Sequence, residues 1–152
     1  MLWLFKRRWV TTAMLLKLYW IMTLVCCLYG AVEGGRDGKM AAALMMLRSG
    51  ATLIAGLIND SWQGTDWPLL VIEILSFSVL LVLVFHSDRY WLIWSSACEA
   101  LALLIHLATI WQPHVTPLVY QSLQNFWAIP MQLFMVHGIA RDRKAQRELM
   151  KP

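Results

Sequence analysis

Residues 67–111 read WPLLVIEILSFSVLLVLVFHSDRYWLIWSSACEALALLIHLATIW, two apolar runs on either side of the turn Ser87-Asp88-Arg89. Each run is about as long as a helix that crosses a bilayer, so the stretch predicts a helical hairpin. Each run also carries one carboxylate, Glu73 in the first and Glu99 in the second. Because an ionisable group inside a membrane costs free energy, both glutamates are candidates for a functional site.

The composition of the whole chain favours a bilayer as its surroundings. Of its 152 residues, 59% are hydrophobic and 14% are charged, and the mean hydropathy is +0.57. Several of the nine tryptophans stand at the ends of apolar runs, which is typical of an interfacial aromatic belt. The net charge of +4 comes from basic residues clustered at the two termini. That placement favours anionic lipid headgroups as the partner and argues against nucleic acid.

Five apolar segments predict a single all-α domain, an integral membrane bundle with four or five hydrophobic helices. The predicted helices cover residues 9–32, 40–58, 68–85, 90–111 and 118–140, and the glycine-rich residues 33–39 form a turn. The second segment is the weakest because it is rich in alanine and carries Arg48 at its centre. It either spans the membrane or lies at the interface. Pro130 predicts a kink in the fifth segment.

The basic residues bear on orientation. A basic tail follows residue 140, with Arg141, Arg143, Lys144 and Arg147, and predicts a cytoplasmic C-terminus. Five spans then place the basic start, Lys6, Arg7 and Arg8, outside, whereas four spans place both termini inside. We favour five spans, because the second segment is otherwise apolar and an arginine is tolerated in a bundle when it is paired. A cleaved signal peptide is the less favoured alternative for residues 9–32, since the run is long and contains Lys17.

Polar residues recur at helical spacing within the apolar segments and predict a polar seam inside the bundle. One face of the fourth segment carries Ser95, Ser96, Glu99, Ala102 and His106. One face of the fifth carries Gln121, Gln124, Asn125, Ala128 and Gln132. The residues predicted to form the seam are Lys17, Glu73, Glu99, His106, Gln121 and Gln132.

Depth along the helices suggests partners within this seam. Glu73 and His106 lie at similar distances from the turn at residues 87–89, so we expect them to meet. Lys17 is the expected counter-ion of a glutamate. Two interpretations compete: the residues satisfy one another and fix the packing of the helices, or they line a proton or ion path or a small cavity.

Cofactor chemistry has weaker support in the sequence. His86 and His137 fall at the same membrane surface and are the one pair of histidines placed to hold a haem or pigment. Because a single possible pair is weak evidence for ligation, we expect no cofactor and no metal. Cys26, Cys27 and Cys98 lie in apolar runs and are predicted to be small buried residues. No phosphate-binding loop, nucleophile elbow or zinc-protease motif is present, and we expect no enzyme.

Three short motifs carry a resemblance to known proteins. They are Gly34-Gly35-Arg36 after the first helix, Ser87-Asp88-Arg89-Tyr90-Trp91 between two others, and Trp127 followed by Pro130 in the last. Together they resemble uncharacterised small multi-helix bacterial inner-membrane proteins. The resemblance implies a multi-pass protein of the bacterial inner membrane, and no function is known for that family.

The expected function is that of a non-catalytic accessory or structural subunit in a membrane-embedded assembly. Its expected partners are the lipid bilayer and other membrane subunits or further copies of the chain. The first alternative is transport of protons, ions or a small solute by the buried carboxylates. The second is a holin-like protein that permeabilises the membrane, suggested by the small size, the several helices and the basic tail.

Overall fold

In the computed structural model, residues 2–58, 67–111 and 117–151 are described, and they form five α-helices and no strand. The helices are α1 (Leu2–Glu33), α2 (Gly35–Ile58), α3 (Trp67–His86), α4 (Tyr90–Trp111) and α5 (Pro117–Leu149). The predicted all-α class is therefore confirmed. Each helix packs against the next one in the chain, and α5 packs back against α1. The five helices consequently form a closed ring with a shared interior.

The junction between α1 and α2 is shorter than predicted. Only Gly34 separates the two helices. Because α2 begins at Gly35, most of residues 33–39, which were predicted to form a turn, belong to the start of this helix. Gly35 has a φ of 63°, which glycine adopts without steric cost. A Cβ at Gly34 would lie 2.5 Å from the Gly30 carbonyl oxygen, so a side chain has no room there. These glycines let the chain reverse within a single residue.

Two other helices extend beyond their predicted bounds. The first begins at Leu2 and not at residue 9, and α5 continues to Leu149 through the segment predicted as a tail. The added residues of α5 are mostly strong helix formers such as alanine, glutamine, arginine and lysine. The helix also passes through Pro130 without ending. The bounds of α3 and α4 lie within one residue of those predicted.

The core is made of apolar side chains from all five helices. Its members include Cys26, Cys27, Ala41, Ala42, Met45, Leu80, Leu83, Trp91, Leu92, Cys98, Met131, Met135 and Ile139. All three cysteines are buried and unbonded, as predicted. Small residues let neighbouring helices approach closely, and the tightest such contact is between Gly138 on α5 and Trp91 on α4.

Large apolar side chains are also exposed on the outer surface of the ring. They recur at helical spacing, for example Leu18, Ile21, Val25 and Leu28 on α1 and Val71, Leu75, Val79 and Val82 on α3. Among the described residues, α3 and α4 are the two helices long and apolar enough to cross a membrane by length and composition. These two helices give weak support for association with a membrane.

The contact between Gly138 and Trp91 predicts a sensitive position. A Cβ at Gly138 would overlap the Cβ, Cγ and Cδ1 atoms of Trp91, whose side chain is buried. Because neither backbone nor indole can give way freely, we expect Gly138→Ala to lower the free energy of unfolding by about 1–3 kcal/mol. Denaturant unfolding of the purified protein in mild detergent, followed by tryptophan fluorescence, measures this.

The matched control for that substitution is Gly50→Ala. Gly50 lies within α2 and has open space where its Cβ would stand. Inside a helix, alanine is more favourable than glycine by roughly 0.5–1 kcal/mol, so this variant should be as stable as the parent or slightly more stable. Equal losses of stability in the two variants would contradict the packing seen between α4 and α5.

Candidate functional site

The candidate site is a buried cluster of three charged residues, Arg48 on α2, Glu73 on α3 and Glu99 on α4. Arg48 Nε and Nη2 donate hydrogen bonds to Glu73 Oε1 at 3.0 and 2.6 Å. Arg48 Nη1 lies 3.1 Å from Glu99 Oε2 on its other side. The guanidinium therefore holds two carboxylates from two different helices. We call these three residues the charge cluster.

Helix length explains why these residues meet. Arg48 lies about 20 Å along α2 from the junction at Gly35, and Glu73 lies about 20 Å along α3 from its end at His86. Both ends lie on the same side of the bundle, because Ser87 Oγ donates a hydrogen bond to Asp37 Oδ2 at 2.7 Å. Since α2 packs beside α3, the two side chains stand opposite each other.

Weaker polar contacts connect the charge cluster to the remaining helices. The sulfur of Met131 on α5 lies 3.9 Å from Arg48 Nη1, and the Met131 carbonyl lies 3.5 Å from Ser95 Oγ on α4. Next along α5, Gln132 Nε2 donates a hydrogen bond to Thr23 Oγ1 on α1 at 2.9 Å. Polar side-chain contacts thus link all five helices through the interior.

The charges in the cluster do not balance. Glu99 is fully buried and Glu73 is 5% exposed, so two carboxylates face one guanidinium away from solvent. Within the described part of the chain, four oxygens there have no partner with hydrogen-bond geometry: Glu73 Oε2, Glu99 Oε1, Glu99 Oε2 and Ser76 Oγ. The contact from Arg48 to Glu99 is an ion pair without hydrogen-bond geometry. The cluster therefore has more acceptors and more negative charge than Arg48 can satisfy.

No family model, curated protein or solved structure matches this chain.

The counter-ion of the glutamates is Arg48, whereas the sequence suggested Lys17. The Lys17 side chain is exposed on α1 and takes no part in the charge cluster. Glu73 forms its ion pair with Arg48, and its expected approach to His106 stays a prediction. Arg48 and Glu73 lie at the same depth once α2 is counted from Gly35, whereas the predicted start at residue 40 conceals this match.

The other residues of the predicted seam are placed as follows. On α4 the whole stripe is buried, namely Ser95, Ser96, Glu99, Ala102 and His106. The backbone carbonyl of His106 accepts a hydrogen bond from Thr109 Oγ1 at 2.8 Å. On α5, Ala128 and Gln132 are buried. The side chains of Gln121, Gln124 and Asn125 lie outside the described residues.

A second polar group lies at one end of the bundle and is partly exposed. Arg89 forms ion pairs with Asp37 on α2 and with Asp142 on α5. Arg143 on α5 pairs with Glu33 at the end of α1. We call this group the end cluster. Its ion pairs connect the α1–α2 junction and the turn between α3 and α4 to the C-terminal half of α5.

An open pocket of about 440 Å³ lies over the end cluster. It is lined by Asp37, His86, Ser87, Asp88, Arg89, Asp142, Ala145 and Gln146. Of the basic residues predicted at the membrane surface, Arg141, Lys144 and Arg147 are exposed at this end, and the side chains of Lys6, Arg7 and Arg8 lie outside the described residues. The described residues contain no group of three side chains suited to hold a metal ion.

The two histidines predicted as a ligand pair have other surroundings. A ring nitrogen of His86 lies 2.8 Å from the Val82 carbonyl of its own helix, and the side chain is exposed. His137 is exposed on α5. Among the described contacts none joins the two rings, so the geometry gives no support to bis-histidine ligation.

Proposed function

We propose that this chain is a multi-pass protein of the bacterial inner membrane and serves as a non-catalytic accessory subunit of a membrane assembly. In this proposal all five helices cross the bilayer and the C-terminus is cytoplasmic. Its partners are the lipid bilayer and either other membrane subunits or further copies of the chain. Nucleic acid is not among them.

The distribution of polar and apolar side chains supports the membrane setting. Charged side chains inside the ring are paired, while leucine, isoleucine and valine side chains face outward along the helices. A soluble bundle has the opposite pattern, because water favours polar outer surfaces. Trp67 and Trp111 are exposed at one end of the α3–α4 hairpin and Tyr90 at the other, as in interfacial aromatic belts.

One observation carries the accessory role: the interior polar residues bind one another across helices. Arg48 connects three helices, and the contacts of Met131 and Gln132 bring in the other two. Such contacts fix the packing of the helices, each contributing about 0.6–2 kcal/mol. Transport is the weaker interpretation, because the contact with Arg48 gives both glutamates a structural role. A rigid bundle with an apolar outer surface suits a subunit that packs against other membrane helices.

Purification in a mild detergent tests the accessory role. We expect the tagged full-length chain to elute in a complex well above its 17.5 kDa mass, with other membrane proteins or further copies present in fixed ratio. Light scattering and mass spectrometry measure the mass and the composition. An Arg48→Met chain, in which the bundle is weakened, is the control and should lose the complex. A monodisperse monomer, or equal recovery of partners with the control, would contradict the proposal.

A further inference from the structure

We propose that the charge cluster holds one bound proton, shared between the carboxyl groups of Glu73 and Glu99. With this proton, the guanidinium of Arg48 and the two carboxyl groups form a neutral unit. The inference concerns the resting state of the cluster and goes beyond the accessory role. It holds whether or not a proton ever crosses the membrane.

The charges of Arg48, Glu73 and Glu99 do not balance if both glutamates are ionised. One guanidinium faces two carboxylates, and the exposed fractions of Glu73 and Glu99 are 5% and 0%. An uncompensated charge at such a site costs several kcal/mol. Binding one proton from water during folding removes this cost, since two close carboxylates that cannot both ionise share a proton.

Several buried oxygens of the charge cluster also lack a hydrogen-bond donor. Glu99 lies against both Glu73 and Ser76. Glu73 Oε2, both carboxyl oxygens of Glu99 and Ser76 Oγ have no partner with hydrogen-bond geometry among the described residues, although they lie close together. Two carboxylates offer acceptors only, whereas a carboxylic acid has an O–H group that can donate. One proton between the two side chains therefore supplies the missing donor.

The described contacts between the charge cluster and the other helices include no second positive charge. On α1 the side chain of Tyr19 lies near Arg48. On α4 Cys98 is adjacent to Glu99, and on α5 the contact is with the sulfur of Met131. A tyrosine, a thiol and a thioether are neutral in a buried site. His106 is also buried, two turns beyond Glu99 on the same face of α4, and is the other titratable group near this level. The spare carboxyl oxygens favour a proton held by the two glutamates, whereas a proton held by His106 would leave the parent without the carboxyl band described below.

Infrared spectroscopy of the full-length protein in lipid vesicles at neutral pH tests the proposal. A protonated carboxyl group has a carbonyl band separate from those of carboxylate and amide, and this band shifts in D₂O. We expect the band in the parent and its loss in both Glu73→Gln and Glu99→Gln. Each substitution leaves one carboxylate opposite Arg48, and these two charges balance without a bound proton. We therefore expect both variants to fold.

The control is Glu33→Gln, which alters a partly exposed glutamate that pairs with Arg143 and should leave the band unchanged. Absence of the band from the parent would overturn the proposal, as would its retention in either single variant. A parent without the band, but with a melting temperature that rises with sodium and not with potassium or choline, would identify a bound metal cation in place of the proton. Circular dichroism establishes that each variant is folded.

Discussion

Replacement of Arg48 by methionine should destabilise the bundle by about 3–5 kcal/mol. Methionine is close to arginine in length, so the loss arises from charge and not from a cavity. Without the guanidinium, Glu73 and Glu99 lie buried together with no counter-ion. Unfolding by a denaturing detergent, measured by circular dichroism and tryptophan fluorescence, gives the change in stability. A smaller effect than about 1 kcal/mol would mean that the ion pairs do not stabilise the fold.

Two further variants separate the loss of charge balance from a general effect of substitution. Lys17→Met removes a positive charge from an exposed side chain and should change the stability by less than about 0.5 kcal/mol. Arg48→Met combined with Glu73→Gln and Glu99→Gln removes all three ionisable groups together. Because a fully neutral interior carries no ionic desolvation cost, this triple variant should regain much of the stability lost in Arg48→Met.

Helical periodicity was sufficient to predict the buried stripe of α4. Ser95, Glu99 and His106 return to one face at the spacing of a helix, and all three are buried. The bounds of α3 and α4 could also be predicted, because Pro68 marks the start of the first apolar run and the turn at residues 87–89 separates it from the second. These features are local, and the sequence within each segment is enough to determine them.

The counter-ion could not be predicted in the same way because it depends on which helices are neighbours. Depth can be counted along a helix, but lateral order cannot. Lys17 is the counter-ion that the sequence predicts, whereas the ring places α2 beside α3 and leaves Lys17 on an outer face. In the sequence, Arg48 is only the residue that makes its segment the weakest candidate to span. In the structure it pairs with both glutamates.

The junction at Gly34 also escaped prediction for a physical reason. Three glycines in residues 33–39 are typical of a loop, since glycine is unfavourable inside a helix. Here Gly34 and Gly38 are needed for close packing, and only Gly35 is needed for its positive φ. Composition alone does not distinguish a glycine that ends a helix from one that lets two helices touch.

The largest qualitative prediction concerns the two ends of the bundle, which should lie on opposite sides of the membrane. The end cluster joins the α1–α2 junction, the turn after α3 and the C-terminal half of α5. With five helices in a ring, the N-terminus and the far ends of α3 and α4 are then at the other end. The end that holds the end cluster bears the basic residues Arg36, Lys39, Arg89, Arg141, Arg143, Lys144, Arg147 and Lys151. By the positive-inside rule we predict that it is the cytoplasmic end.

Single cysteines test this arrangement in a chain whose three buried cysteines are replaced by alanine. Asp88→Cys and Lys151→Cys lie at exposed positions on the end predicted to be cytoplasmic, and Trp111→Cys lies at an exposed position on the opposite end. In intact spheroplasts a membrane-impermeant maleimide should label Trp111→Cys and an N-terminal epitope should be open to protease. The other two cysteines should react only after the membrane is opened.

The N-terminal epitope decides between the two possible numbers of spans. If α2 crosses the bilayer, the charge cluster lies near the middle of the membrane, and the basic residues Lys6, Arg7 and Arg8 are translocated against the positive-inside rule. If α2 crosses, the ion pairs of Arg48 offset the cost of its guanidinium in the bilayer, and for this reason we predict five spans. An epitope protected together with Asp88→Cys and Lys151→Cys would instead establish four spans, with α2 held on one side of the membrane. That result would also remove Arg48 from the bilayer interior, separate it from Glu73 and Glu99, and contradict the ring as a five-span unit.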